Sequence, residues 1–247
     1  MEENLELHLI HLIQWLLVPA LPILLLAANL HIVTGHWFVR WEYGKTGFPP
    51  DPFGLPTTER VRLAEACVDY LTTDASLSLL ADLRLSSGQP AFNERELRHM
   101  ADVQGVYNSI TKAGMIAVLV LLGGTMSTLS ISDPARRSKA QRRAASALLG
   151  GSSLTLGLLG VVGMYMALSW NEFFTAFHRL FFEGESWIFP YSNTLIRLFP
   201  TRFWMDIAAV VVGLLVVQAI IIGTIGWRWR RQLNSDSPRT QSAEHLA

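Results

Sequence analysis

Two stretches of the chain combine histidine with other residues that can move protons. In the first, His99 and Asp102 are three residues apart and Tyr107 follows two turns later, so on a helix the three can share one face. A carboxylate beside an imidazole fixes its tautomer and raises its basicity, as in many general bases. This spacing predicts a proton-transfer site, although an exposed histidine beside an exposed aspartate would have the same spacing.

The second stretch places His178 in a polar line surrounded by aromatic residues. Asn171, Thr175 and His178 recur at helical spacing, and Arg179 follows directly. The surrounding aromatic residues are Phe173, Phe174, Phe177, Phe181, Phe182, Trp187, Phe189, Phe199, Phe203 and Trp204. Such a density suits a site that holds lipid or a segment that lies on the membrane, and an ordinary aromatic belt at the interface is the alternative.

The composition of the chain is that of a membrane protein. Of its 247 residues 50% are hydrophobic and 16% are charged, and the mean hydropathy is +0.29; a soluble domain carries about a quarter charged residues. Four apolar stretches have the length that a bilayer requires, roughly 20 residues each. This composition argues against disorder and nucleic-acid binding, and the single cysteine, Cys67, excludes a Cys-rich metal site and predicts a small buried side chain.

We therefore predict an all-α membrane protein of four transmembrane helices with a small extracellular cap of mixed α and β structure. The predicted segments are 1–33 for the cytoplasmic amino terminus and first span, 34–112 for an extracellular segment, 113–131 for the second span, 132–143 for a basic cytoplasmic loop, 144–170 for the third span, 171–206 for the aromatic-rich extracellular segment, 207–227 for the fourth span and 228–247 for a disordered cytoplasmic tail. The pairs Ser153/Gly157, Gly163/Ala167 and Ala219/Gly223 predict seams where helices pack closely.

The distribution of charge predicts the orientation in the membrane. Twenty basic and twenty acidic residues cancel, but the loop 132–143 and the tail together hold nine basic residues against three acidic ones. Basic residues near spans favour the cytoplasmic side. Both termini are therefore expected in the cytoplasm, and both histidine stretches on the extracellular face.

Local patterns predict how the first extracellular segment folds. Asn93 and Glu96 have the spacing of a capping box, which would begin a helix that continues directly into the second span. Thr57 or Thr58 is expected to cap a short helix through Leu71. The stretch 77–85 has strand-like or short helical character.

Three runs of residues resemble the signatures of the bacterial lipoprotein intramolecular transacylase family. They are ERELRHMADV around His99, FHRLFFEGESWIF around His178 followed by TLIRLFP, and VRWEYGKTGFPPDPFGLPTTERVRLA. The resemblance implies a four-span acyltransferase of the bacterial cytoplasmic membrane. It would move the sn-2 acyl chain of a diacylglyceryl lipoprotein to the α-amino group of its amino-terminal cysteine and leave a lyso-form lipoprotein.

The resemblance also implies that His99 and His178 are the catalytic residues. Asp102, Tyr107 and Arg179 are possible supporting residues that we add from their position and chemistry. Attack of an amine on an ester carbonyl needs a base, a stabiliser for the oxyanion and an acid, and two histidines can cover the proton transfers. The expected partners are a diacylated lipoprotein and membrane lipid, with no cofactor and no metal.

Three alternative hypotheses about the function remain open at this point. Seven histidines are compatible with a haem- or quinone-binding redox subunit, in which His31 or His36 would face His99 or His178. The chain could also be a non-catalytic accessory subunit of a larger membrane complex. A metal hydrolase built from His99, Asp102 and His178 has less support, because the chain has no H-E-x-x-H spacing.

Overall fold

The computed structural model describes residues 2–235, with side chains from Trp15 onward, and this part of the chain is helical. The helices are α1 (Glu2–Val33), α2 (His36–Tyr43), α3 (Thr57–Thr72), α4 (Ser78–Ala81), α5 (Glu94–Leu129), α6 (Pro134–Leu168), α7 (Trp170–Phe181), α8 (Thr194–Leu198) and α9 (Thr201–Ser235). Helix α3 begins where we expected, but its N-cap is Pro56 and neither threonine supplies a side-chain cap.

The prediction of a mixed α/β cap is wrong. Within residues 2–235 the only pairing of extended backbone is an isolated antiparallel bridge between Arg84 and Pro90. The stretch 77–85 instead contains the short helix α4. Its leucines at positions 77, 80 and 83 are three residues apart, which brings them to one side of a helical turn, where Leu80 is fully buried in the apolar core.

Within the described residues, four helices are long and apolar enough to cross a membrane, in agreement with the predicted number. They are the stretch Trp15–Val33 of α1 and the helices α5, α6 and α9. Residues 228–235, predicted as the start of a disordered tail, continue α9, because Trp227 to Ser235 contains no Gly or Pro that would end a helix. The rest of that tail, 236–247, lies outside the described residues. Most of the predicted loop 132–143 is likewise helical, since α6 begins at Pro134.

The chain forms two compact units. The first, which we call the bundle unit, comprises residues 2–26, 113–161 and 214–235 of the described chain. The second, which we call the site unit, comprises Ala27–Lys112 and Val162–Gly213 and contains both candidate histidines.

Glycine lets the helices of the bundle unit approach to backbone contact. A Cβ atom on Gly151 of α6 would lie 2.9 Å from the carbonyl oxygen of Val18 in α1, and one on Gly226 of α9 would lie 2.9 Å from the carbonyl oxygen of Ala145 in α6. Helices with small residues at the interface gain van der Waals contact along their backbones. Helix α6 therefore packs against both α1 and α9.

Of the three predicted seams between helices, one is confirmed and two are wrong. The Ala219/Gly223 seam is confirmed, because Ala219 is fully buried and a Cβ on Gly223 would lie 3.1 Å from the Cβ of Ser152. The Ser153/Gly157 and Gly163/Ala167 seams are wrong, since no described atom apart from the neighbouring backbone of α6 itself lies within 4 Å of the Cβ positions of Gly157 and Gly163. The close contacts of α6 lie about two turns before Gly157, at Gly151.

The core of the site unit joins α3, α4, α8 and the start of α5. Its buried members include Leu63, Leu80, Met100 and Leu198. Cys67 is buried among them, which confirms the prediction for this residue, and its burial raises the pKa of the thiol. The core thus holds the amino-terminal part of α5 against α3 and α8.

Two arginines fix the short helix α8 to the rest of the site unit. Arg197 donates two hydrogen bonds to the buried carboxylate of Asp51, at 3.0 and 2.8 Å. Burial alone would raise the pKa of Asp51, but the bonds from Arg197 and from the N–H of Leu55 hold that pKa below its ordinary value. Arg60, also buried, donates to the carbonyl oxygen of Arg197 at 2.8 Å.

The contact at Gly151 predicts a sharp difference between two glycines of α6. Gly151→Ala places a methyl group against the α1 backbone, which cannot move aside as a side chain can, and should destabilise the protein by about 1–3 kcal/mol. Gly157→Ala is the matched control, where alanine favours the helix and meets no described neighbour. Thermal unfolding of the two purified variants in detergent measures the difference, and equal midpoints would contradict the packing.

Candidate active site

Helix α5 begins with the predicted capping box, which is confirmed. The side-chain oxygen of Asn93 accepts hydrogen bonds from the N–H groups of Arg95 and Glu96, at 2.9 and 3.0 Å, and Glu96 accepts one from the N–H of Asn93 at 2.8 Å. The other carboxylate oxygen of Glu96 accepts from the N–H of Leu195 in α8 at 2.6 Å. One buried carboxylate therefore fixes the starts of two helices, and α5 continues into a membrane-crossing helix as expected.

His99 lies three residues after Glu96 and is 7% exposed. Its Nδ1 atom is buried and has no hydrogen-bond partner among the residues that the structure describes. A buried N–H without an acceptor is rarer than a buried lone pair without a donor. The favoured neutral tautomer therefore carries its hydrogen on Nε2, which makes that nitrogen a donor.

His178 lies in the last turn of α7 and is 9% exposed. Its Nδ1 is 2.7 Å from the carbonyl oxygen of Phe174, one turn earlier. A carbonyl oxygen only accepts, so the hydrogen is on Nδ1 and the neutral ring has its lone pair on Nε2. Burial lowers the pKa of His178 below its ordinary value, although the bond to Phe174 acts in the opposite direction. The ring is thus held as a neutral base.

The fold brings the two imidazoles together. Their ring centres are 6.2 Å apart and the planes are inclined by 22°. Five aromatic rings surround them, and we call this group the aromatic cage: Phe174, Phe177, Phe182, Trp187 and Phe189. Phe182 contacts both histidines, with ring centres 4.9 Å from His99 and 5.5 Å from His178.

Trp187 and Phe189 reach the histidines from a loop that follows α7. The N–H of Ile188 donates to the carbonyl oxygen of Glu185 at 3.1 Å, which closes a turn. Arg95 of α5 donates to the same carbonyl oxygen at 2.5 Å. Gly184 supplies the positive φ of +62° that the chain needs just before the turn. The loop is therefore anchored to α5 four residues before His99.

The three residues proposed as supporting groups lie elsewhere. Asp102 is exposed and shares no described hydrogen bond with His99, because His99 faces the interior while Asp102, although only three residues away, faces outward. Arg179 is exposed next to His178. The hydroxyl of Tyr107 binds Nδ1 of His31 at 2.6 Å, so it ties α5 to α1.

The other histidines considered for a redox site have hydrogen-bond partners of their own. The hydroxyl of Thr111 donates to the carbonyl oxygen of Tyr107, and its oxygen accepts a hydrogen bond from Nε2 of His31. Nδ1 of His31 binds the hydroxyl of Tyr107, so both ring nitrogens of His31 have partners. His36 pairs with Asp69 at 2.7 Å. In the described part of the chain, no three residues of the His, Cys, Asp or Glu types are grouped so that they could hold a metal ion.

The sequence indicated an aromatic-rich segment but not which rings touch the histidines. Five of the ten aromatic residues singled out there form the cage, while Phe199 and Phe203 pack against α2 and the end of α1. The signal for the turn was available in Gly184, which follows the last turn of α7. The link from Glu96 to Leu195 joins residues 99 positions apart and has no local sequence signal.

Comparison with known proteins agrees with this architecture. The model of the lipoprotein intramolecular transacylase family, Lit, matches residues 13–204. The chain belongs to this family. It is therefore an acyltransferase, and four apolar helices make it a multi-pass membrane protein.

Individual relatives are similar to this chain over most of its length. An uncharacterized protein from Aquifex aeolicus (strain VF5) is 28% identical over 218 residues, which cover 86% of this chain and 94% of that protein. The in meso structure of the membrane-integral transacylase Lit from Bacillus cereus has a TM-score of 0.68 at 17% identity, covering 92% of this chain and 99% of that one. A variant of the B. cereus protein with a histidine replaced by alanine has a TM-score of 0.64 at 17% identity and covers 95% and 100%. At these identities the solved structures establish a shared fold.

The environment of His178 predicts an unusually acidic titration. Because burial lowers its pKa from the ordinary value of 6.5, the neutral form persists at neutral pH and is lost only as the pH falls through the lowered pKa. NMR of the purified protein with labelled histidine measures this, and the signal is assigned by its loss in His178→Gln. A midpoint below pH 6.5 is expected, and one at or above 6.5 would contradict a site in which burial outweighs the hydrogen bond to Phe174.

Proposed function

We propose that this chain moves the sn-2 acyl chain of a diacylglyceryl lipoprotein to the α-amino group of the lipoprotein's amino-terminal cysteine, and that His99 and His178 carry the reaction. The observation that supports this most is the stacked pair of buried histidines, 6.2 Å apart inside the aromatic cage. Family membership supplies the reaction class, and the pair supplies the groups that the reaction needs.

The reaction converts an ester and an amine into an amide and an alcohol. The amine nitrogen attacks the ester carbonyl carbon, a C–N bond forms, and the carbonyl electrons move to oxygen. When that oxyanion collapses, the C–O bond to the sn-2 glycerol oxygen breaks. One proton leaves nitrogen and one proton ends on the glycerol oxygen, so no proton is gained from or lost to solvent.

The hydrogen-bond state of each histidine supports a division of roles. Nε2 of His178 has a lone pair, because Nδ1 donates to Phe174, so His178 is the base that takes the proton from the attacking nitrogen. His99, with its hydrogen on Nε2, donates a hydrogen bond to the glycerol oxygen and makes it a better leaving group, while the proton itself stays on His99. The imidazolium of His178 then returns its proton to that oxygen.

The aromatic cage supplies what the histidines lack. Amine and ester belong to the same molecule, so the enzyme mainly has to fold the lipid into a reactive geometry, which lowers the barrier without a nucleophilic residue. Apolar rings around the histidines hold the acyl chain and exclude water. Excluding water matters because hydrolysis of the same ester would release the chain as a free fatty acid.

The proposed location is the bacterial cytoplasmic membrane, with both termini in the cytoplasm and the active site on the extracellular face. The support is the excess of basic residues in 132–143 and after Trp227. The diacylated lipoprotein and membrane lipid are the proposed partners, and no cofactor is required by the steps above.

Replacing either histidine should abolish product formation. His99→Ala and His178→Ala each remove one partner in the proton transfers, and general acid–base groups contribute typically 10²–10⁴-fold. His36→Ala is the matched control, since His36 is half-buried and pairs with Asp69 away from the cage. Each purified full-length variant is incubated with a synthetic lipopeptide that carries an S-diacylglyceryl cysteine, and lyso-form product is measured by mass spectrometry.

The expected result is loss of product in both cage variants and normal product in His36→Ala, with all three inserted in the membrane. Full activity of either cage variant would refute the assignment of that histidine.

A further inference from the structure

The loop after α7 carries two polar atoms that are buried without a partner. The indole Nε1 of Trp187 and the hydroxyl oxygen of Ser186 make no hydrogen bond to any described residue. Both residues are central in the turn that Glu185 and Ile188 close. The same site contains the unpaired Nδ1 of His99, so three unpaired polar atoms lie in and beside one cage.

An unpaired indole N–H is the most informative of the three. Tryptophan Nε1–H can only donate a hydrogen bond, and its hydrogen is fixed in the plane of the ring. A hydroxyl hydrogen, by contrast, can rotate toward a different acceptor. Burying a donor with no acceptor is costly, and folded proteins avoid it unless the group has a use. Since no described residue supplies an acceptor, the N–H is available to an acceptor on a bound molecule.

The position of the indole shows which acceptor would fit. Its ring centre is 4.8 Å from that of His178, and the planes are inclined by 35°. Arg95 holds the turn against α5, and Phe189 from the same loop lies 5.4 Å from His99. The indole therefore packs directly against His178, so a group that reacts at this histidine lies next to the tryptophan ring, whose N–H is already desolvated.

We propose that the indole N–H of Trp187 donates a hydrogen bond to the carbonyl oxygen of the sn-2 ester and stabilises the oxyanion formed there. This inference rests on the proposed function and deepens it. When nitrogen attacks, the carbonyl electrons move to oxygen, and the N–H of Trp187 stays intact while it binds that oxygen. The amine proton goes to His178, the carbonyl re-forms as the C–O bond breaks, and the glycerol oxygen leaves with the proton that His178 returns.

A donor already in place needs no reorganisation as charge develops, so its effect is concentrated in the transition state. The loss of one such donor lowers kcat by about 10²–10³-fold in an enzyme of known mechanism. KM should change little, because the neutral ester carbonyl accepts only a weak bond. A residue that merely packs against His178 would affect folding and substrate binding together.

The test removes the N–H and keeps the ring. Trp187 is replaced by 3-benzothienylalanine, in which sulfur takes the place of the N–H, and in parallel by phenylalanine. Trp170→Phe is the matched control, since Trp170 contacts Phe173 and Phe174 of α7 but neither histidine. Initial rates are measured with the S-diacylglyceryl lipopeptide, and thermal midpoints report folding.

The expected result is a kcat lower by about 10²-fold or more in the benzothienylalanine protein, with unchanged KM and thermal midpoint. Normal kcat in that protein overturns the inference, as does a loss that is matched by a fall in thermal midpoint. His178→Ala is measured alongside. If it is active, only the assignment of His178 as the base fails. If the unaltered protein forms no lyso-form product, the proposed function itself fails; if the unaltered protein is active, His178→Ala is inactive and the benzothienylalanine protein is fully active, only the role of Trp187 fails.

Discussion

The hydrogen bond from Nδ1 of His178 to the carbonyl oxygen of Phe174 determines what the site can do. Because Nδ1 donates its hydrogen in this bond, Nδ1 cannot act as a base, and the lone pair of the neutral ring is on Nε2. Because the acceptor belongs to the same helix, the bond persists as long as α7 is formed. The neutral state of the ring then follows from burial among apolar side chains.

The rest of the site unit serves to place a second imidazole and an apolar wall against that ring. Glu96 fixes the start of α5 and bonds to α8, and Arg95 holds the loop that carries Trp187 and Phe189. Buried polar groups of this kind stabilise when each is satisfied and specify one arrangement of the elements. Three of the buried polar atoms without a hydrogen-bond partner in the described chain, on His99, Ser186 and Trp187, lie in or next to the aromatic cage.

Features that depend on near neighbours in the chain were predictable from the sequence. The four apolar helices, the capping box at Asn93 and the continuous α5 all follow from composition or from spacing within one turn. The family resemblance implied that His99 and His178 act together, but only the fold shows that their rings lie side by side. Periodicity alone placed Asp102 beside His99, but helical spacing does not show which of two adjacent positions faces the core.

Other features depend on distant partners and had no local signal. Tyr107 was assigned to the His99 face, yet its hydroxyl binds His31, 76 residues away. The stretch 77–85 was open to either strand or helix, and packing of its leucines on α3 and α5 decided for helix. The close seam of α6 lies at Gly151 because α1 approaches there, which the small-residue pattern does not specify.

The central claim is that the acyl chain moves within one lipopeptide inside a site that excludes water. It is tested by incubating the purified full-length protein with two lipopeptides of different peptide mass, only one of which carries an isotope-labelled sn-2 chain. The account predicts that mass spectrometry finds the label on the cysteine nitrogen of its original peptide and nowhere else. Label on the other peptide, or label released as free fatty acid in place of the amide, would contradict it.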